Sequence, residues 1–187
     1  MENEYTVKVY DNGDKHWYLN DKLHREGGPA VEYANGSKFW YLNGERHRID
    51  GPAIEWANGD KAWYINGKRH REGRPALECA NGSKGWFLNG ELHREGGPAV
   101  EWASGSKEWY LNGKLHRTNG PAIESANGTK AWYLNGKLHR IDGPAVEYAN
   151  GYKSWYINSE RVTEEEFNRW IEENVAIGMD RFLEIIS

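Results

Sequence analysis

Tryptophan returns every 23 residues along this chain, at Trp17, Trp40, Trp63, Trp86, Trp109, Trp132 and Trp155, with no insertion between copies. His24, His47, His70, His93, His116 and His139 keep the same step, each followed by Arg. Pro29, Pro52, Pro75, Pro98, Pro121 and Pro144 are all the prolines there are. A fixed period of this size predicts a stack of supersecondary units, each burying its apolar side on its neighbours, and argues against a core assembled from distant segments.

The unit itself reads as β-structure. One Asn-Gly series runs through Asn12, Asn35, Asn58, Asn81, Asn127 and Asn150, with Ser104-Gly105 as the variant. A second runs through Asn43, Asn66, Asn89, Asn112 and Asn135, with Asn20-Asp21 and Asn158-Ser159 at its ends. Asn-Gly between short aromatic and β-branched stretches is a hairpin signal, because both residues accept positive φ. "PAVEY", "SKFWYL" and "KLHR" are then strands, and Gly and Pro punctuate them too often for helix. The predicted fold class is an all-β repeat array: an elongated antiparallel β-hairpin solenoid with a short C-terminal helical cap.

Residues 1–158 are assigned to the array, with "YTVKVYDNG" (5–13) as a leading half-repeat, and residues 159–187 to the cap. Asn158-Ser159 is expected to break the turn. Thr163 with Glu166 three residues on is a capping box. Phe167, Trp170 and Ile171 share a helical stripe that Val175 extends, and Met179, Phe182, Leu183 and Ile186 suggest a second short helix. This segment is read as a lid on the last repeat, with partner binding as the other role.

If both turns are two-residue loops, the register follows. Around Asn35-Gly36, Tyr33 faces Lys38, Glu32 faces Phe39 and Val31 faces Trp40; around Asn43-Gly44, Leu42 faces Glu45, Tyr41 faces Arg46 and Trp40 faces His47. Val31, Trp40, Leu42 and His47 then form the core face, with Ala30, Glu32, Tyr41 and Arg48 opposite. A three-residue Ala-Asn-Gly loop with a bulge would shift the first pairing. Gly27, Asp50, Gly73, Gly96, Asn119 and Asp142 occupy one column of types that tolerate the left-handed region, so this column is expected to turn the chain. The pre-proline glycine after it is expected to be a convenience only.

Composition fits the stack. Only 38% of residues are hydrophobic, yet there are 10 Trp and 11 Tyr, so rings rather than aliphatic chains must supply the buried area. Residues 159–187 carry eight acids and three bases, a net of -5, which leaves the array near neutral at +1. That disfavours sequence-blind nucleic-acid binding and nucleic-acid mimicry alike, and no sequence-specific nucleic-acid partner is expected. No apolar run is long enough for a transmembrane segment and no leader-like start is present, and Cys79 stands alone, so a cytoplasmic protein without disulfides is expected.

The 23-residue step, the Trp followed by Asn-Gly and the His a few residues later resemble MORN (membrane occupation and recognition nexus) repeats across residues 5–158. The nearest likeness is to bacterial and viral antitoxin-like variants reading W-Y-x-N-G-K, and phage proteins with "NGKxHRxDGPA" units ending in "TEEEF" are similar. The chain departs from the usual pattern in carrying Arg after every repeat His. The resemblance implies a scaffold or partner-binding module, including inhibitors of toxins or host defences.

Identical rows of side chains supply no unique nucleophile, base and orienting group, so a non-enzymatic protein without cofactor is expected. Copies of His about 10 Å apart cannot share one metal ion. His47, His70, His93 and His116, with Arg48, Arg71, Arg94 and Arg117, have two readings. They pack beside Trp and pair with the Glu column, or they line a groove for an anionic, nucleotide-like small ligand. The columns that vary between copies are the better candidates for selecting a partner. One holds Phe39; the other holds Tyr33, Trp56, Trp102 and Tyr148, rings of the kind that anchor protein interfaces. A protein partner is the favoured reading, and oligomeric state is left open.

Overall fold

The computed structural model describes residues 5–175. It is an all-β repeat array of antiparallel strands with a helix at Glu164–Val175. Two compact units divide the chain, Met1–Glu91 and Leu92–Ser187. In the first, Thr6–Val9, Lys15–Leu19, Val31–Glu32, Lys38–Phe39, Ile54–Glu55, Lys61–Ala62, Leu77–Glu78 and Lys84–Gly85 lie side by side in chain order. In the second the order is Val100–Glu101, Lys107–Glu108, Ile123–Glu124, Lys130–Ala131, Val146–Glu147, Lys153–Ile157 and Glu160–Val162. Small hairpins branch off within each repeat, such as Tyr41–Leu42 with Glu45–Arg46 and Tyr110–Leu111 with Lys114–Leu115.

The two turns of a repeat differ. Asn43 and Gly44 hold φ of 53° and 87°, the pair of left-handed residues that a two-residue hairpin needs. Tyr41 faces Arg46 and Leu42 faces Glu45, as expected. Asn158 and Ser159 hold φ of 50° and 72° and close the same turn, with Ile157 facing Glu160. The expectation that this pair breaks the turn is therefore corrected: Ser accepts the conformation that Gly supplies elsewhere.

The other turn is the three-residue loop with a bulge. The Tyr33 N–H donates to the Ser37 carbonyl at 2.9 Å, the Gly36 N–H donates to the Tyr33 carbonyl at 2.9 Å, and Gly36 has φ of 91°. One extra loop residue moves the pairing, so Val31 faces Phe39 and Glu32 faces Lys38. The core face derived from two-residue loops is overturned with it. Val31, Phe39, Ile54, Ala62, Leu77 and Gly85 share one face in the first unit. Glu32, Lys38, Glu55, Lys61, Glu78 and Lys84 alternate in charge along the other. The second unit repeats this, from Glu101 and Lys107 to Glu147 and Lys153.

The core is thin. Ala53, Ile54, Ala62 and Tyr64 form a buried cluster, with Phe39, Trp40, Trp56 and Leu77 packed against it. The alanine after each proline is fully buried in all six copies. At that position the carbonyl of Ala53 accepts the Trp40 N–H at 2.8 Å, so one repeat is stitched to the next through backbone.

The C-terminal helix begins with the expected capping box. The Glu166 N–H donates to Thr163 Oγ1 at 3.1 Å, and the Thr163 N–H returns a bond to Glu166 Oε2 at 2.8 Å. That bond holds the Glu166 carboxyl below its usual range. Phe167 is buried and the Trp170 ring meets His139 edge-on at 6.0 Å, so the helix covers the last repeat. The Val175 side chain and the second helix expected over Met179–Ile186 lie outside the described residues.

Candidate functional site

The six repeat arginines form one arrangement. In each copy Nη1 donates to the carbonyl of the proline four residues on and to the Glu seven residues on: Arg48 to Pro52 and Glu55, Arg71 to Pro75 and Glu78, Arg94 to Pro98 and Glu101, Arg117 to Pro121 and Glu124. The guanidinium also lies on the Trp of its own repeat, at 4.1 Å from the ring centre for Arg48 on Trp40 and 3.8 Å for Arg71 on Trp63. This is the ladder with the Glu column, with one change. Arg48 pairs with Glu55 rather than standing with Glu32 across Phe39, because the register moved by one.

The pre-proline glycine gains a reason from the same geometry. A Cβ on Gly51 would stand 2.8 Å from the Arg48 guanidinium carbon, and on Gly97 3.0 Å from that of Arg94. The glycine makes room for the stacked cation, which corrects its reading as a convenience. Arg74 shows that the site can adapt, since Arg71 keeps both bonds beside it. The preceding column is also only partly as expected. Gly27, Gly73 and Gly96 are left-handed, but Asp50, Asn119 and Asp142 are not. Asp50 and Asp142 instead accept a bond from Arg48 Nε at 3.0 Å and Arg140 Nε at 2.7 Å. The Arg48 contact lowers the Asp50 pKa.

The histidines join repeats. The Asn66 N–H donates to His47 Nδ1 at 3.2 Å, Asn89 to His70, Asn112 to His93 and Asn135 to His116 in the same way. The same Nδ1 also lies 2.8 Å from the Asn66 side-chain Oδ1, 3.1 Å from that of Asn89, 2.9 Å from that of Asn112 and 2.8 Å from that of Asn135, so backbone and side chain of the turn both meet the ring. The His of one repeat thus holds the Asn-Gly turn of the next. The last copy, His139, is 2% exposed under Trp170, and burial lowers its pKa. The opposite loops are tied similarly: the Ala57 N–H donates to Ser37 Oγ at 3.0 Å and the Ala80 N–H to Asp60 Oδ1 at 2.7 Å.

The columns that vary come together on the other face. In the first unit Tyr10, His16, Tyr33, Phe39 and Trp56 form a zigzag of rings, with centroid distances of 4.7, 6.0, 5.2 and 6.1 Å in that order. Tyr33 is exposed, whereas Phe39 and Trp56 are half-buried against the core cluster. Further along, Gly85 takes the ring column, and a Cβ there would meet the Phe87 ring at 2.9 Å. Cys79 lies nearby, its thiol pKa pushed up by burial.

In the second unit Trp102 is 48% exposed and donates through Nε1 to Glu108 Oε1 at 2.8 Å, while the Tyr110 hydroxyl donates to Glu108 Oε2 at 3.0 Å. The Tyr110 pKa rises to about 12, through burial first and this bond second. Tyr148 is exposed beside Tyr152, with ring centres 5.6 Å apart.

Sequence reasoning passed over one variable column. Leu23, Leu115 and Leu138 face the hairpin tyrosines, but Arg46 faces Tyr41 and Arg69 faces Tyr64. The signal is "ERHR" and "KRHR" against "KLHR", one changed letter beside the invariant His-Arg.

The fold and this surface define a β-repeat protein with a constant structural side and a variable aromatic side. No family model matches the chain, and no curated protein matches it either.

Proposed function

We propose that this protein is a non-enzymatic binding module that engages a protein partner through its variable face. The observation that carries the reading is the division of labour between columns. Trp, Asn-Gly and His-Arg are spent within and between repeats, while Tyr33, Trp102 and Tyr148 leave 36%, 48% and 41% of their surface open. Exposed rings fixed by neighbours are suited to anchoring a partner at low entropic cost. The resemblance to MORN repeats supports the finer statement that the module acts in the cytoplasm as a phage or bacterial antitoxin or anti-defence inhibitor. No helix among the described residues is long and apolar enough to cross a membrane.

Sequestration of an anionic nucleotide-like ligand by the His-Arg column has less support, because such a ligand would have to displace the Glu and proline carbonyl partners of the arginines. The test is affinity capture from bacterial lysate with quantitative mass spectrometry, comparing the protein with a folded Trp102→Ala/Tyr148→Ala variant. A protein retained by the first and lost by the second supports the reading. Equal retention by both, or nucleotide absorbance co-purifying with the protein, overturns it.

A further inference from the structure

Arg46 and Arg69 differ from the repeat arginines in having no carboxylate partner among the described residues. Arg46 Nε donates to the Tyr41 hydroxyl at 3.3 Å, and its guanidinium carbon lies 5.4 Å from the centre of the Tyr64 ring. Arg69 Nη2 donates to the Tyr64 hydroxyl at 3.1 Å, and the group sits 5.5 Å from the Tyr64 ring and 4.7 Å from Phe87. Arg69 Nε is buried without a hydrogen-bond partner. Among the described residues neither cation has an ion-pair partner within 4.0 Å, whereas each repeat arginine has one. Asp60, whose charge acts on Cys79 in the opposite direction to that of Arg69, is committed to its loop. Its Oδ1 accepts the Ala80 N–H and its Oδ2 the Asn58 amide.

Two half-buried guanidinium groups are therefore held on the Tyr64 ring with spare donors, and Phe39 and Trp56 pack against the cluster that contains Tyr64, with Tyr33 on Phe39. The ladder glutamates Glu55 and Glu78 are taken by Arg48 and Arg71 and face the ladder lysines, and neither pairs with Arg46 or Arg69 among the described residues. Arg46 and Arg69 occupy successive repeats, and their guanidinium carbons lie 5.4 and 5.5 Å from the centre of the same Tyr64 ring. Burying an unpaired guanidinium is costly unless an anion meets it, and its fork suits a carboxylate.

The geometry points to a docking surface, built by Tyr33, Phe39, Trp56, Arg46 and Arg69, for an acidic segment of a protein partner. Carboxylates of that segment accept from the two arginines, and its apolar side chains lie on the rings. This deepens the proposed function and rests on it for the partner's being a protein.

The array supplies its own control variant: Leu stands at this position in other repeats, so Arg46→Leu/Arg69→Leu keeps the fold. A fluorescein-labelled peptide of about twelve residues made of Glu-Glu-Leu units is titrated with the full chain and with the double variant, reading anisotropy. A Lys-Lys-Leu peptide and an oligothymidylate of equal length serve as comparisons. The expected result is binding of the acidic peptide, weakened at least about tenfold in the variant and by added salt, with no binding of the basic peptide. Absence of acidic-peptide binding, or equal affinity in the variant, overturns the inference. So does tighter binding of the oligothymidylate lost in the variant, which would make the surface one for single-stranded nucleic acid. None of these outcomes touches the capture experiment on Trp102 and Tyr148, which tests the binding-module reading separately.

Discussion

Arg117→Ala measures what the repeat arginine does. In the structure its Nη1 donates to the Pro121 carbonyl at 3.0 Å and to Glu124 Oε1 at 2.7 Å, and its guanidinium lies 3.8 Å from the centre of Trp109. The charged bond to a carbonyl is worth about 1.5 kcal/mol. The Glu124 side chain is 37% exposed, so solvent screening keeps the ion pair to about 0.5–1 kcal/mol. The ring contact adds about 0.5–1 kcal/mol. Together these predict a loss of about 3 kcal/mol, or roughly 6–12 °C in Tm for a chain of this size. Urea titration followed by circular dichroism reads the loss, and a double-mutant cycle with Glu124→Gln should return a coupling of about 1 kcal/mol. A loss below about 0.5 kcal/mol together with abolished partner binding would refute the structural role and revive the anion-groove reading.

Trp86 is 8% exposed, so Trp86→Ala should cost about 3–5 kcal/mol in the same titration, and a cost under about 1 kcal/mol would mean that the ring is not part of the core. Gly51→Ala should destabilise by forcing the Arg48 guanidinium to shift from a Cβ only 2.8 Å away, and Arg48→Ala in the same chain should abolish that penalty. Phe167 is 4% exposed against the last repeat, so Phe167→Ala should cost about 3 kcal/mol and promote aggregation, read by light scattering; unchanged stability would remove the helix from the cap. Burial lowers the His139 pKa from its ordinary 6.5, so the folded chain prefers the neutral ring. Its contribution is full above about pH 6.5 and lost as pH falls through the window below. His139→Gln should therefore flatten the decline of the urea midpoint between about pH 7 and 5, and an unchanged slope would show that another group sets it.

Much of the array was legible before any coordinate. The 23-residue step, the Asn-Gly turns and the Thr163–Glu166 box are local signals, each needing only neighbours in the chain to take effect. The pairing of Tyr41 with Arg46 followed from turn chemistry alone. The Ala-Asn-Gly loop did not, because two and three loop residues are both compatible with the same letters, and a single residue of difference exchanges the faces. That one step moved Phe39 opposite Val31 and sent Arg48 to Glu55.

The candidate site was legible in outline. Tyr33, Trp56, Trp102 and Tyr148 stood out because they sit in a column that varies; Tyr33, Trp102 and Tyr148 are exposed, whereas Trp56 is half-buried against the core cluster. Arg46 and Arg69 did not stand out, since a lone Leu-to-Arg change carries no meaning until its carboxylate partners are counted in space.

Repetition in the chain was enough to dictate the class of fold, since only stacked hairpins satisfy a 23-residue unit with two left-handed turns and little aliphatic content. Packing between neighbouring repeats decided the rest: which ring covers which neighbour, why a glycine precedes proline, and which cations have no counter-charge among the described residues. Those outcomes depend on distances between residues in different repeats, and no local propensity encodes them.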